Sequence, residues 1–289
     1  VLRLVGSEMC IRDRFYDLTP SLKATLTYNT DFAETEVDQQ RVNLTRFPLF
    51  YPEKRDFFLE GADLFSFGGI PKSPLAFHSR KIGLSSNGSK IGINAGAKLT
   101  GRVGPLGIGV LGMGLDDFEN LDSDEVFVGR FTYDLFEESK VGTIFTHGDP
   151  QSNLNNQLAG VDLNLRSSNW WNEQSVSWHG FYMTSDDENE NSDDVIGTHF
   201  TFPNYPFRAS GHWVRTGENF NPALGFVRRR GGESTGLGFT YYFEQPENEL
   251  LEDISVGAEY DRYEWLDGDL DSDELETVSY THLTLPTTN

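Results

Sequence analysis

From residue 91 onward, apolar and polar residues alternate one by one. Over 91–103, Ile91, Ile93, Ala95, Ala97, Leu99 and Val103 fall on one side, and Asn94, Lys98, Thr100 and Arg102 on the other. A strand sends successive side chains to opposite faces, so this period of two predicts a strand with one apolar and one polar face. Segment 157–166 repeats it, with Val161, Leu163 and Leu165 against Asp162 and Asn164. So does 236–243, where Leu237, Phe239, Tyr241 and Phe243 oppose Gly236, Gly238 and Thr240. In 254–263, Ile254, Val256, Ala258 and Tyr260 oppose Ser255, Glu259 and Asp261. Further strands are expected near 106–115, 126–135, 140–147, 174–184, 195–202 and 207–216, and one earlier at 22–30. Helical periodicity is absent from 91 onward.

The connections alternate in length. Links at 102–107, 136–140 and 203–207 are short. Those at 116–125, 147–157, 185–194, 216–232 and 264–276 are long and mostly acidic, and 166–174 and 244–253 are intermediate. Alternating short turns and long loops predict an up-and-down meander. Strands of about ten residues exceed the five or six usual in soluble sheets and suit an outer-membrane β-barrel. Lipid cannot hydrogen-bond a bare backbone, so a spanning sheet closes on itself, apolar outside and polar within. Trp170, Trp171, Tyr241, Tyr242, Phe243 and Trp265 stand near strand ends, where an aromatic girdle belongs. A soluble sandwich or propeller is the alternative, because soluble sheets also alternate.

Residues 31–90 lack this pattern. Asp38 is placed to cap a short helix over 39–46, and Pro48, Pro52, Pro71 and Pro74 then interrupt the chain. A stretch of this kind before a meander is expected to fold into the lumen or over one mouth. The organisation expected is a first strand plus a plug-like segment over 15–90 and a barrel meander over 91–277. The fold class expected is all-β, an antiparallel up-and-down meander of the outer-membrane β-barrel kind.

Composition narrows the partners. The chain has 289 residues, 23 Lys and Arg against 45 Asp and Glu, and a net charge of −22. So acidic a balance argues against nucleic acid, whose phosphates need clustered cations. No apolar run approaches the roughly 18 residues of a membrane-spanning helix. Cys10 stands alone, which excludes an internal disulfide and a cysteine-based zinc site. Residues 1–14 and 278–289 resemble translated sequencing adapters, so the genuine segment is expected over 15–277. Since residues 1–14 carry three Arg against two acids and 278–289 none, that segment is more acidic still, at −23.

The block YPEKRDFFLEG at 51–61 is the most distinctive in the chain. With NTDFAETEVDQQRVNLTRF before it, and FHSRKIGL (77–84), GAKLTGRVGP (96–105) and GENFNPALGFVRR (217–229) after it, it closely resembles a bacterial family of unknown function. Members of that family join an N-terminal family-9-type carbohydrate-binding domain to a C-terminal outer-membrane β-barrel. The likeness spans roughly residues 20–240. It departs at Asp56, where the family often has Pro, and at Lys81, where it often has Arg. It implies an upstream carbohydrate-binding domain in the full-length chain, further strands, and an outer-membrane location.

Glu53, Lys54, Arg55, Asp56, Glu60 and Asp63 crowd charge beside Phe57, Phe58, Leu59 and Leu64. One reading is a structural clamp, in which Glu53 or Glu60 pairs with Arg55, Lys98 or Arg102, because a buried charge without a partner costs several kcal/mol. A second is a constriction that selects an anionic or polyhydroxy solute. A third pairs Glu53 with Glu60 or Asp63 for glycoside hydrolysis. The candidate ligand-binding set is Glu53, Lys54, Arg55, Glu60, Asp63, Arg80, Lys98, Arg102, Arg228 and Arg229; Arg228–Arg230 is the one basic cluster.

Other signals are weaker. Asp267, Asp269, Asp271 and Asp273 alternate in a way that suits calcium, but an EF-hand would want Gly where Ser272 stands, so a solvated acidic loop is preferred. His78, His147, His179, His199 and His212 are scattered, with no pair at ligand spacing. His78-Ser79-Arg80 is no hydrolase constellation, and Gly-rich 101–114 lacks the ending of a phosphate loop. No cofactor is expected. The function expected is passage or binding of a carbohydrate-related solute without chemistry. A glycoside-hydrolase-like enzyme at the barrel mouth and a structural or assembly component are the alternatives. Lipid and lipopolysaccharide are the expected surroundings, the acidic loops bridging cations to the latter.

Overall fold

The computed structural model describes residues 14–30, 46–85, 88–189, 192–243 and 251–283. Thirteen strands form one antiparallel sheet in which each pairs with its sequence neighbour, from β1 to β13. They are β1 (Arg14–Thr19), β2 (Leu22–Thr30), β3 (Ile93–Val103), β4 (Leu106–Leu115), β5 (Glu125–Leu135), β6 (Ser139–His147) and β7 (Asn156–Trp170), followed by β8 (Gln174–Asp187), β9 (Ser192–Pro203), β10 (Phe207–Thr216), β11 (Gly232–Phe243), β12 (Leu251–Trp265) and β13 (Leu270–Leu283). The sheet is not closed: β1 and β13 are its two edges.

Eleven of these strands coincide with the alternating segments. β1 and β13 do not. β1 begins at Arg14 and β13 runs through 278–283, so the ends that resemble adapters enter the sheet. The long loop expected over 264–276 is instead a tight link, Leu266–Asp269, followed by strand, and β8 and β9 extend into 185–194 and leave four residues between them. Acidic residues at alternate positions can stand on the polar face of a ladder as readily as in a loop. The helix expected over 39–46 lies almost wholly outside the described residues.

The two faces of the sheet differ in chemistry. One carries Phe127, Phe131, Phe145, Val161, Tyr182, Ile196, Phe200, Leu237 and Phe239, and these large apolar side chains stay exposed. The other presents Thr25, Thr27, Lys98, Thr100, Arg130, Asp162, His179, His212 and Ser234, and carries the inner segment 46–85. That segment consists of α1 (Asp56–Leu59), two short 3-10 turns (Ala62–Phe65 and Ser79–Lys81) and extended links. Two apolar clusters seat it. Phe57, Phe58, Phe65 and Ile82 pack on Leu111, Met113, Val126 and Val128. Ile70 and Ala76 pack on Ile144, Leu158, Phe181, Met183, Val195 and Val214.

The phase of β3 changes at its start. The register slips between Ile93 and Ala95, so Ile91 and Ile93 are buried under the segment while Ala95 and Ala97 face outward. The single apolar stripe expected over 91–103 is therefore split by a bulge, which moves later residues to the opposite face. Trp170, Trp171, Tyr241 and Phe243 are exposed at the short-turn end. Tyr242 and Trp265 are corrections: Tyr242 lies under Arg208 on the inner face, and Trp265 sits beside Arg46.

Candidate functional site

The inner segment begins with a closed ion-pair clamp. Pro52 leads into Glu53, whose Oε1 accepts the backbone amides of Lys54 and Arg55 and the Arg55 Nε, each at 2.9 Å. Its Oε2 accepts Arg55 Nη2 and Ser79 Oγ, both at 2.7 Å. Arg55 also donates to the carbonyls of Ile82 at 2.7 Å and Ser79 at 2.8 Å, and its guanidinium lies 4.1 Å from the Phe58 ring centroid. One buried pair thus ties the start of the segment to its end. Burial alone would raise the Glu53 carboxyl. The hydrogen bonds and charge of Arg55, with the Ser79 hydroxyl, outweigh that and hold it at about 2.

The other charges of the block go elsewhere. Glu60 pairs with Lys23 of β2. Lys98, buried on β3, donates to the carbonyls of Phe57 and, at 2.7 Å, Glu60. Gly61, next after Glu60, has φ +70°, a region that favours glycine, and a Cβ there would stand 3.2 Å from Thr100. Arg102 pairs with Asp134 near the short-turn end. Lys54 is half-buried and Asp63 exposed, and Arg80 lies 5.8 Å from the Tyr51 ring. His78 Nε2 lies 3.1 Å from the Tyr51 carbonyl, and burial lowers its basicity. The candidate set is therefore divided: Glu53, Arg55, Glu60 and Lys98 meet around α1, while Arg228 and Arg229 lie apart from them, beside Phe47.

The pair at the centre of the segment is absent from that set. Arg130 of β5 reaches over β6 to Asp162 of β7 in a two-pronged contact of 2.7 and 2.8 Å. Its Nε donates to the Ser66 carbonyl at 2.9 Å, and Asp162 accepts the Gly68 amide at 3.2 Å. Gly142 of β6 makes the room, since a Cβ there would come within 2.3 Å of Arg130 Nη1. The available sequence signal was a lone Arg and a lone Asp on polar faces of strands separated by a strand with glycine at the crossing.

At the long-loop end, the β10–β11 connection (217–231) meets the segment. Leu75 and Phe226 exchange backbone hydrogen bonds of 2.8 and 3.0 Å. Arg229 bonds Asp271 at 2.9 Å, and Arg46 pairs with the same carboxylate. Lys72 bonds Asp261 at 2.7 Å. This corrects the solvated acidic loop expected here: Asp271 turns inward to two arginines, Asp267 accepts the Asp269 amide, and Asp273 stands opposite Arg262 in the β12–β13 ladder. The four do not converge, and among the described residues no three acids or histidines are grouped to hold a metal.

The histidines also need correction. His179, His199 and His212 are not scattered but form a row across β8, β9 and β10, with ring centroids 6.0 and 6.5 Å apart. Their sequence spacing hides this, because only strand register aligns them. His199 Nδ1 and His212 Nε2 are buried without a hydrogen-bond partner among the described residues.

Residues 16–109 match the model of a family described as "Domain of unknown function (DUF5916)". That stretch takes in most of β1, all of β2 and β3, the inner segment and the start of β4, and so includes the clamp. No curated protein and no solved structure matches the chain.

Proposed function

We propose that this sheet is the wall of an outer-membrane β-barrel whose lumen is narrowed by segment 46–85, and that it passes or binds a small polar, carbohydrate-related solute without chemistry. The observation that carries this is the exposed apolar face. Large apolar side chains stay exposed over one face from β5 to β11, while the opposite face mixes polar side chains with the apolar residues that seat segment 46–85. A water-soluble sheet buries its apolar face; a lipid-facing one displays it. Strands β2–β13 run from nine to fifteen residues, enough for the roughly 9–11 that cross a bilayer with tilt.

The segment's path supports curvature around it. Gly61 lies against β3 and Gly68 against Phe181 of β8. Five strand spacings amount to about 24 Å on a flat sheet. Seven residues that include a 3-10 turn cover only about 18 Å. A sheet curled around the segment shortens the inner path in this sense. Closure requires that the β1 and β13 edges find strand partners, because an open edge in lipid leaves backbone groups bare. The hydrolase alternative gains nothing from Glu53, whose oxygens are taken by Arg55 and Ser79.

The test is extraction followed by liposome swelling with the full-length protein. Protein that stays with the outer membrane in urea and accelerates swelling in small sugars supports the reading. Extraction by urea alone overturns the membrane placement. Integrated protein that neither swells liposomes nor binds sugars overturns the solute role.

A further inference from the structure

We propose that the mouth between the inner segment and β10–β13 recognises an anionic solute: a carboxylate or phosphate on a hydroxyl-bearing frame the size of a single sugar. The inference rests on the solute reading above and specifies its chemical class. Two neighbouring cavities share Arg228 and Arg229. The outer is an open vestibule of about 450 Å³, walled by Arg46, Arg228, Arg229 and Arg230 with Phe47 and Trp265, and no carboxylate lines it among the described residues. The inner, about 200 Å³, adds Lys72 and the hydroxyls of Thr216 and Ser234, with Asp261 and Glu274 as its acids. In a chain of net charge −22, four guanidinium groups with Asp271 as their one acidic partner among the described residues reverse the local sign. Such an opening draws anions from solution and repels cations.

The cations are held in place rather than loose. Arg46, Arg228 and Arg229 lie 5.0, 5.4 and 4.2 Å from the Phe47 ring centroid, so one aromatic organises three planes and leaves their N–H edges for a ligand. Their own neutralisation is incomplete. Asp271 is shared by Arg46 and Arg229, and among the described residues Arg230 bonds the neutral Asn221 at 3.0 Å and Arg228 has no carboxylate partner. Lys72, at the inner cavity, is already matched by Asp261. The positive excess therefore sits at the outer end. A solute is oriented with its oxyanion at Arg228, where a two-pronged contact is available, and its hydroxyls inward, toward Thr216, Ser234 and Tyr263. The Tyr263 hydroxyl is buried without a partner among the described residues, beside this cavity.

Calorimetric titration of the full chain in non-ionic detergent with glucuronate, glucose 6-phosphate, glucose and inorganic phosphate tests this. Both sugar anions are expected to bind at least about tenfold more tightly than glucose. Arg228→Gln is expected to remove most of that difference at unchanged thermal stability, since Arg228 is exposed. Equal affinity for glucose and glucuronate overturns the proposal. So does wild-type affinity in both Arg228→Gln and Arg230→Gln. Inorganic phosphate binding as tightly as glucose 6-phosphate overturns the role given to the hydroxyl frame. Binding in micelles needs no sealed pore, so failure here is distinct from failure of the swelling experiment.

Discussion

At the residue scale, Glu53 shows how a buried charge becomes a structural fastener. Its carboxyl titrates near 2 in the folded chain against 4.5 when free, so the unfolded chain binds the proton more tightly between those values. The stabilisation is present in full above pH 4.5 and is lost as pH falls toward 2. A shift of this size corresponds to roughly 3 kcal/mol. Unfolding in detergent followed across that window is expected to show the loss in the wild type and not in Glu53→Gln. At neutral pH, Glu53→Gln leaves Arg55 buried without its counter-charge and is expected to cost about 3–5 kcal/mol. His78 acts in the same direction at higher pH. Burial lowers its basicity, so its contribution fades as pH drops below 6.5. Gly142→Ala tests a purely spatial requirement. The added methyl meets Arg130 and Asp162, and a loss of about 1–3 kcal/mol is expected in denaturant titration.

At the scale of elements, two ion pairs stand out among the contacts that hold the inner segment. The Glu53–Arg55 clamp joins its ends to each other, and Arg130–Asp162 joins its middle to the sheet through Ser66 and Gly68. A double-mutant cycle with Arg130→Ala and Asp162→Ala is expected to give a coupling energy within about 0.5–3 kcal/mol, as for contacting groups in one network. Hydrogen exchange at the Gly68 amide is expected to rise in either single variant while the β4–β5 ladder stays protected. Equal loosening of both would mean that segment and sheet open as one unit.

At the scale of the whole molecule, the decisive property is which face of the sheet meets which solvent. Val161 on β7 is exposed on the apolar face. In a soluble protein, Val161→Arg at such a site changes stability by no more than about 0.5 kcal/mol. Facing lipid near the bilayer midplane, it costs about 2–4 kcal/mol. Folding titrations in phospholipid vesicles distinguish the two outcomes, and a near-zero effect sinks the membrane placement. The same distinction bears on the acidic character of the chain. Asp116, Asp117, Glu119, Asp122 and Asp124 lie in one long connection, clear of the apolar face.

Much of this was legible in the sequence, for a local reason. Alternation is a property of neighbouring residues, so eleven strands follow from it directly, and the lengths of their connections point to the meander order. The Glu53–Arg55 clamp was within reach too, since its partners stand two residues apart. What only the tertiary structure decided depends on register between strands. The bulge at Ile93–Ala95 split a stripe that reads as continuous. Strand pairing, not spacing, aligned His179, His199 and His212. Arg130 and Asp162 meet across an intervening strand because Gly142 lies between them, and Asp271, which reads as part of an acidic loop, became the shared counter-ion of Arg46 and Arg229. Local chemistry wrote the strands; the pairing of distant strands chose which charges would meet.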